Sequence, residues 1–226
     1  MSAKKDRYRG RMIAFEGIDG TGKSTQIHLL KRWLDLQGVK VFLCEWEASE
    51  LVKNTTSKVR NRELLTPNTF ALLHATDFAD RYDRQVLPLL RAGYIVLWDR
   101  FYYAAFARDV VRGCPPAWVR GLYGFAEHAD LTFFFKAPLE TCLSRIRTDR
   151  LDPKYFEAGM DLRLSTDSRE SFRLFQERLF EQYLWMSTEY GFRVVDAAQP
   201  IEAQQQLVRR IVEDVVHPSE FTFKRP

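Results

Sequence analysis

Residues 15–25, FEGIDGTGKST, constrain this chain more than any other stretch. Within them Gly17 to Ser24 match G-x-x-x-x-G-K-[S/T], the pattern of a loop whose backbone N–H groups surround a phosphate chain. Glycines permit the curl and the following helix adds its positive end, so the loop needs a strand before it and a helix after it. The flanks comply. Residues 12–17, MIAFEG, have the pattern of a buried strand, and Ile27, Leu29, Leu30, Trp33 and Leu34 recur at helical spacing. Lys23 is the cation expected on the β and γ phosphates of a nucleoside triphosphate, and Ser24 the hydroxyl expected at Mg²⁺. Gly17, Asp19, Gly20, Thr21, Gly22 and Thr25 complete the expected nucleotide cradle.

Four more apolar segments have strand character: VKVFLCE ending at Glu45, YIVLWD (94–99), LTFFFK (131–136) and FRVVDA (192–197). A long helix is expected from about Pro67 to Leu90, capped by Thr66, and another from near Thr166 to about Glu189. Strands alternating with helices, the strands apolar almost throughout, predict an α/β fold with a parallel sheet covered by helices on both faces. With the phosphate loop this is the P-loop NTP-hydrolase fold, read as a single domain over 1–226 because 226 residues suffice for one core. The polar segment RTDRLDPKYFEAGMDLRLS (147–165) carries Pro153 and Gly159 and is read as a mobile lid. Flexible ends are expected at 1–10 and 217–226.

Asp99, at the carboxyl end of an apolar strand, is placed to reach the Mg²⁺ shell, and Arg100 after it has the planar fork that grips an acceptor phosphate. A guanine-reading N-K-x-D is missing from the sequence, which argues against a switch GTPase. With 34 basic and 30 acidic residues mixed along the chain, the net charge of +4 suits an enzyme of small anions better than a specific nucleic-acid binder. No apolar run approaches the length of a membrane span, and the start lacks the apolar core of a secretory signal, so a cytoplasmic location is expected. Cys44, Cys114 and Cys142 are odd in number and widely spaced, as reduced thiols are. Asp77 with Arg81 and Asp80 with Arg84 stand four apart and are read as surface pairs worth about 0.2–0.5 kcal/mol each.

In order along the chain, FEGIDGTGKSTQ, LLHATDFADRYDRQVLPLLRAGYIVLWDRF, ADLTFFFKAPLETCLSRI and VVDAAQPIEAQQQLVRRI resemble the thymidylate kinase family. The resemblance implies a five-stranded parallel sheet, ATP and Mg²⁺ as cofactors, phosphorylation of dTMP to dTDP, and a homodimer. It puts Lys23, Ser24, Asp99 and Arg100 on the family's phosphate and magnesium positions, and Asp19 on the loop acid that faces the nucleotide sugar. Some members carry a catalytic Arg in the loop, where this chain has Gly20; others take it from the lid, for which Arg145, Arg147 and Arg150 are the candidates. The base-reading positions depart. His74 stands where the family stacks a Phe, Phe78 where an Arg reads the base, AAFARD (104–109) replaces S-S-x-A-Y-Q, and EWEASE (45–50) replaces R-E-P-G-G-T. Trp46, His74 and Phe78 are therefore candidates to stack on the base, and Arg108 and Asp109 to read its edge. Two alternatives stay open at this point: a different nucleoside monophosphate as acceptor, or a nucleotide-binding regulator without catalysis.

Overall fold

The computed structural model describes residues 8–46, 49–61, 65–149 and 153–222. Five strands form one parallel sheet in the order β2-β3-β1-β4-β5: β1 Arg11–Glu16, β2 Val41–Glu45, β3 Ile95–Asp99, β4 Leu131–Lys136 and β5 Arg193–Asp196. The central strands are buried nearly end to end, as apolar strands covered on both faces must be. Phe15 packs against Phe133 and Phe135 at ring separations of 5.4 and 6.0 Å.

Register decides what the strand ends present. On one side of β1, Phe15 pairs with Asp99 of β3; on the other, Glu16 pairs with Phe134 of β4. The loop after β1 and the turn after β3 thus leave the sheet side by side, at the carboxyl edge where ligands of open parallel sheets bind.

Among the described residues the flanking helices are α1 Lys23–Leu36, α2 Glu50–Asn61, α3 Pro67–Arg81, α4 Leu87–Arg91, α5 Tyr102–Val111, α6 Pro116–Gly121, α7 Leu139–Asp149, α8 Ser168–Glu189 and α9 Ile201–Val216. Helix α1 packs on α9, and α5 packs on both α3 and α8. The single long helix expected over 67–90 is α3 and α4 joined by a π turn at Tyr82–Val86, a widening that sequence spacing does not signal. Thr66 does cap it, accepting from Thr69 N.

Asp77 and Arg81 are not a surface pair. Arg81 is fully buried, donates to Asp77 Oδ2 through Nε at 2.9 Å and Nη2 at 2.6 Å, and lies 5.2 Å from the Trp98 ring. Asp77 also accepts from Ser49 N at 2.9 Å, so the pair ties α3 to the segment after β2. Asp80 to Arg84 is the exposed kind on the Arg84 side, 74% accessible. The chain end packs on its own fold as far as Thr222: Lys40 N donates to Phe221 O, Val39 bridges Thr222, and the Phe221 ring is buried.

Candidate active site

The phosphate loop is shaped by three glycines in backbone conformations that side chains avoid. At Gly17 (φ +140°) a Cβ would stand 2.6 Å from Phe135 O, and at Gly20 (φ +80°) 2.3 Å from Cys142 O. Gly22 (φ +82°) precedes the first residue of α1. The loop closes on itself through Thr21 Oγ1, which donates to Ile18 O at 3.0 Å, and Lys23 Nζ, which donates to Ile18 O at 2.7 Å and Thr21 Oγ1 at 3.2 Å. Burial pushes the Lys23 ammonium down to about 8, and the nearby Arg100 guanidinium adds to the push. Two cations held this close in a partly desolvated loop make a site that gains from an anion.

Opposite them, the turn after β3 presents the second half of the site. Ser24 Oγ donates to Asp99 Oδ2 at 2.8 Å. Arg100 adopts a left-handed conformation (φ +68°), a strain of about 1–3 kcal/mol for a residue with a Cβ. Its guanidinium donates to Asp19 Oδ1 and, at 3.2 Å, to Gly17 O, joining the turn to the phosphate loop. Gln176 of α8 fixes Asp19 from behind, accepting from Asp19 N at 3.0 Å and donating to Asp19 Oδ2 at 3.1 Å. Asp19, Lys23, Ser24, Asp99 and Arg100 line a cleft of about 1330 Å³ that Trp46, Arg145, Arg169 and Arg173 also border.

The remaining sequence candidates divide. Arg145 reaches the loop from α7, donating to Ala197 O at 3.0 Å and to Gly20 O at 3.5 Å. The side chain of Arg147 and all of Arg150 lie outside the described residues. Arg108 stands beside Asp19, its Nη2 3.8 Å from Asp19 Oδ1. His74 and Asp109 form a buried pair, Nδ1 to Oδ1 3.1 Å, and the second Asp109 oxygen has no hydrogen bond among the described residues. The His74 ring contacts Trp46 and Phe70 at 5.3 and 4.4 Å. Phe78 differs from the expectation: its ring is wholly buried among Tyr82, Trp98 and Phe101. Of the residues expected at the base only Trp46 borders the cleft; His74, Phe78, Arg108 and Asp109 do not.

The part of the expected lid that is described, 153–165, lies on α5 and α8. Arg112 donates to Asp161 Oδ2 and to Phe156 O, both at 2.8 Å, with its guanidinium 4.6 Å from the Phe70 ring and 4.8 Å from Phe175. Ser171 Oγ donates to Ala158 O at 2.8 Å, and Gly159 (φ +65°) rests on Phe175 where a Cβ would stand 2.8 Å from the ring.

Sequence reasoning missed Glu16, Gln176 and Arg112. Glu16 had a signal, an acid inside an otherwise apolar strand. The other two stand at helical spacing like any solvent-facing residue and carried none.

A family model described as "Thymidylate kinase" matches residues 15–208. The chain is 40% identical over 212 residues to "Probable thymidylate kinase 2" of Saccharolobus solfataricus, covering 93% of this chain and 99% of that protein. It is 31% identical over 212 residues to "Thymidylate kinase" of Symbiobacterium thermophilum, covering 90% and 93%. With "Probable thymidylate kinase" of Thermococcus kodakarensis it shares 27% over 218 residues, covering 90% and 98%.

Proposed function

The chain belongs to the thymidylate kinase family, and on that premise we propose that it transfers the γ-phosphoryl group of ATP to dTMP, giving dTDP and ADP. The observation that carries the reading is the meeting of Lys23 and Ser24 with Asp99, Arg100 and Asp19 at the carboxyl edge of adjacent strands. Lys23 lies on the donor phosphates, the loop N–H groups surround them, and Arg100 holds the acceptor phosphate so that its oxygen attacks in line. Asp19 faces the acceptor sugar. Arg145, with Arg147 and Arg150 after it, is the reserve of cations for the charge that develops on the transferring group. Trp46 borders the cleft where the base would rest, with the buried His74–Asp109 pair packed against it through His74 and Arg108 beside Asp19. No protein nucleophile is needed.

Ser24 Oγ and Asp99 Oδ2, two hard oxygen donors at the cleft wall, fit a Mg²⁺ that takes its other ligands from water and phosphate. When bound, the ion supplies charge neutralisation on the phosphates. We also assign the chain, on family grounds, to a single domain, a homodimer and the cytoplasm. No helix among the described residues is long and apolar enough to cross a membrane.

ATP consumption with product identification over dTMP, dUMP, dCMP, dGMP and dAMP tests the proposal. dTMP is expected to give the highest kcat/KM, with Lys23→Ala lowering kcat on the order of 10²–10³ or more. Full turnover by Lys23→Ala, or preference for another acceptor, would overturn the mechanism or the substrate respectively.

A further inference from the structure

Glu16 ends β1 and is wholly buried, an unusual place for a carboxyl unless it has work to do. Its position follows from the ladder. Arg100 N still donates to Phe15 O at 3.2 Å, the last backbone bond between β1 and the chain leaving β3. At Arg100 the backbone swings into the left-handed region, and the next N–H, that of Phe101, is met by a side chain instead: Glu16 Oε1 accepts from it at 2.7 Å.

We propose that Glu16 is a positioning residue for the acceptor phosphate, clamping the Arg100 turn so that the Arg100 guanidinium is held over the phosphate loop. The inference rests on the proposed function only in taking Arg100 as the acceptor-phosphate ligand. Arg100 is pinned on both sides of its own peptide, by the strand ladder before it and the Glu16 carboxyl after it. Its side chain completes the frame with Gly17 O and Asp19. Without Glu16, Phe101 N would be a buried donor without an acceptor, and the turn would be free to relax to an ordinary backbone conformation. Such a relaxation re-aims the guanidinium, and small misplacements of a positioning group carry large rate losses.

The other carboxyl oxygen, Oε2, makes no hydrogen bond among the described residues, nor does the Tyr183 hydroxyl of α8. The two groups still stand near enough for each to disturb the other's ionisation, short of a well-formed bond. Burial holds the Glu16 carboxyl up at about 7, against the opposing pull of the Phe101 hydrogen bond and Arg100. A carbonyl-type oxygen accepts in either protonation state, so the clamp works whether or not the group is ionised.

The test compares Glu16→Gln, which keeps the acceptor oxygen, with Glu16→Met, which fills the space without one. Binding and steady-state constants are measured for dTMP and ATP separately. Glu16→Met is expected to raise Kd and KM for dTMP tenfold or more and leave those for ATP within about twofold, with Glu16→Gln restoring dTMP to within about threefold of the parent. Equal losses for both nucleotides, or no loss beyond a lower Tm, would make Glu16 merely structural and overturn the inference. Should Glu16→Met fail to fold, Glu16→Asp, which withdraws the oxygen by one methylene, carries the same acceptor-specific expectation. Parent turnover of dTMP, run in the same series, reports on the proposed reaction by itself. If another monophosphate is the acceptor, the same comparison is made with that one.

Discussion

Single positions in this site are set by backbone geometry as much as by chemistry. Gly20 is the plainest case. The family resemblance implies that some members carry an Arg in the loop at that point, yet here any Cβ would meet Cys142 O at 2.3 Å on a backbone of positive φ. Gly20→Arg is therefore expected to destabilise the fold by about 2 kcal/mol or more and to lower turnover rather than add a catalytic cation, as thermal unfolding and kcat would show. Glu16 yields a second prediction with a definite sign. Its carboxyl titrates near 4.5 unfolded and about 7 folded because burial disfavours the anion. Between those values the folded state holds more protons, so stability falls as pH rises through that window, by on the order of 3 kcal/mol for this one group. Glu16→Gln is expected to flatten that decline in urea unfolding at pH 4.5 to 7.

Elements are joined by buried polar contacts that strand and helix patterns do not announce. The Asp77–Arg81 pair links α3 to Ser49 and sits under Trp98; removing Asp77 leaves an uncompensated guanidinium in the core. Asp77→Ala should cost about 3–5 kcal/mol in denaturant unfolding, against at most about 0.5 for Arg84→Ala on the exposed pair. The spacing of the two pairs is identical, and only the face on which each falls separates them. The segment 153–165 shows the same logic. Arg112, sandwiched between Phe70 and Phe175, holds Asp161 and the Phe156 carbonyl, and burial works against its charge. Arg112→Ala should raise hydrogen exchange across 155–163 by about tenfold or more while β1 and β3 keep their protection, because the loss of these contacts frees that segment alone.

For the whole molecule, strand order brings the two halves of the site together. The order β2-β3-β1-β4-β5 sets the loop after β1 between the turns that follow β3 and β4, so that Ser24 meets Asp99 and Gly17 approaches Phe135. With the nucleotides bound at that edge as proposed, ATP at about 100 times its Kd should stabilise the chain by about 2.7 kcal/mol, and Lys23→Ala should remove most of the shift in Tm. The proposed homodimer has candidate contact residues in Leu51 of α2 and Leu72 of α3, 63% and 49% accessible on helices that pack together. Sedimentation at micromolar concentration should give twice the chain mass, and Leu72→Asp should lower it.

Much of this architecture was legible in the sequence because its signals are local. The phosphate loop demands its strand and helix, apolar segments of strand length alternate with helical periods, and Asp99-Arg100 follow one of those segments directly. The strands and caps appear where such signals placed them, and Lys23, Ser24, Asp99, Arg100 and Asp19 meet at one edge. What sequence could not decide was which face of a helix turns inward and what crosses to meet it. Phe78, a candidate to stack on a base, went into the core because α3 turns that face toward Trp98. Asp77 and Arg81 went with it, whereas Arg84 stayed in water. The clamp of Glu16 on Phe101 joins residues 85 apart, and Gln176 reaches Asp19 across 157. Contacts of that span depend on how sheet and helices pack, since local propensity acts over a few residues while burial and hydrogen-bond satisfaction are settled only when the whole chain closes.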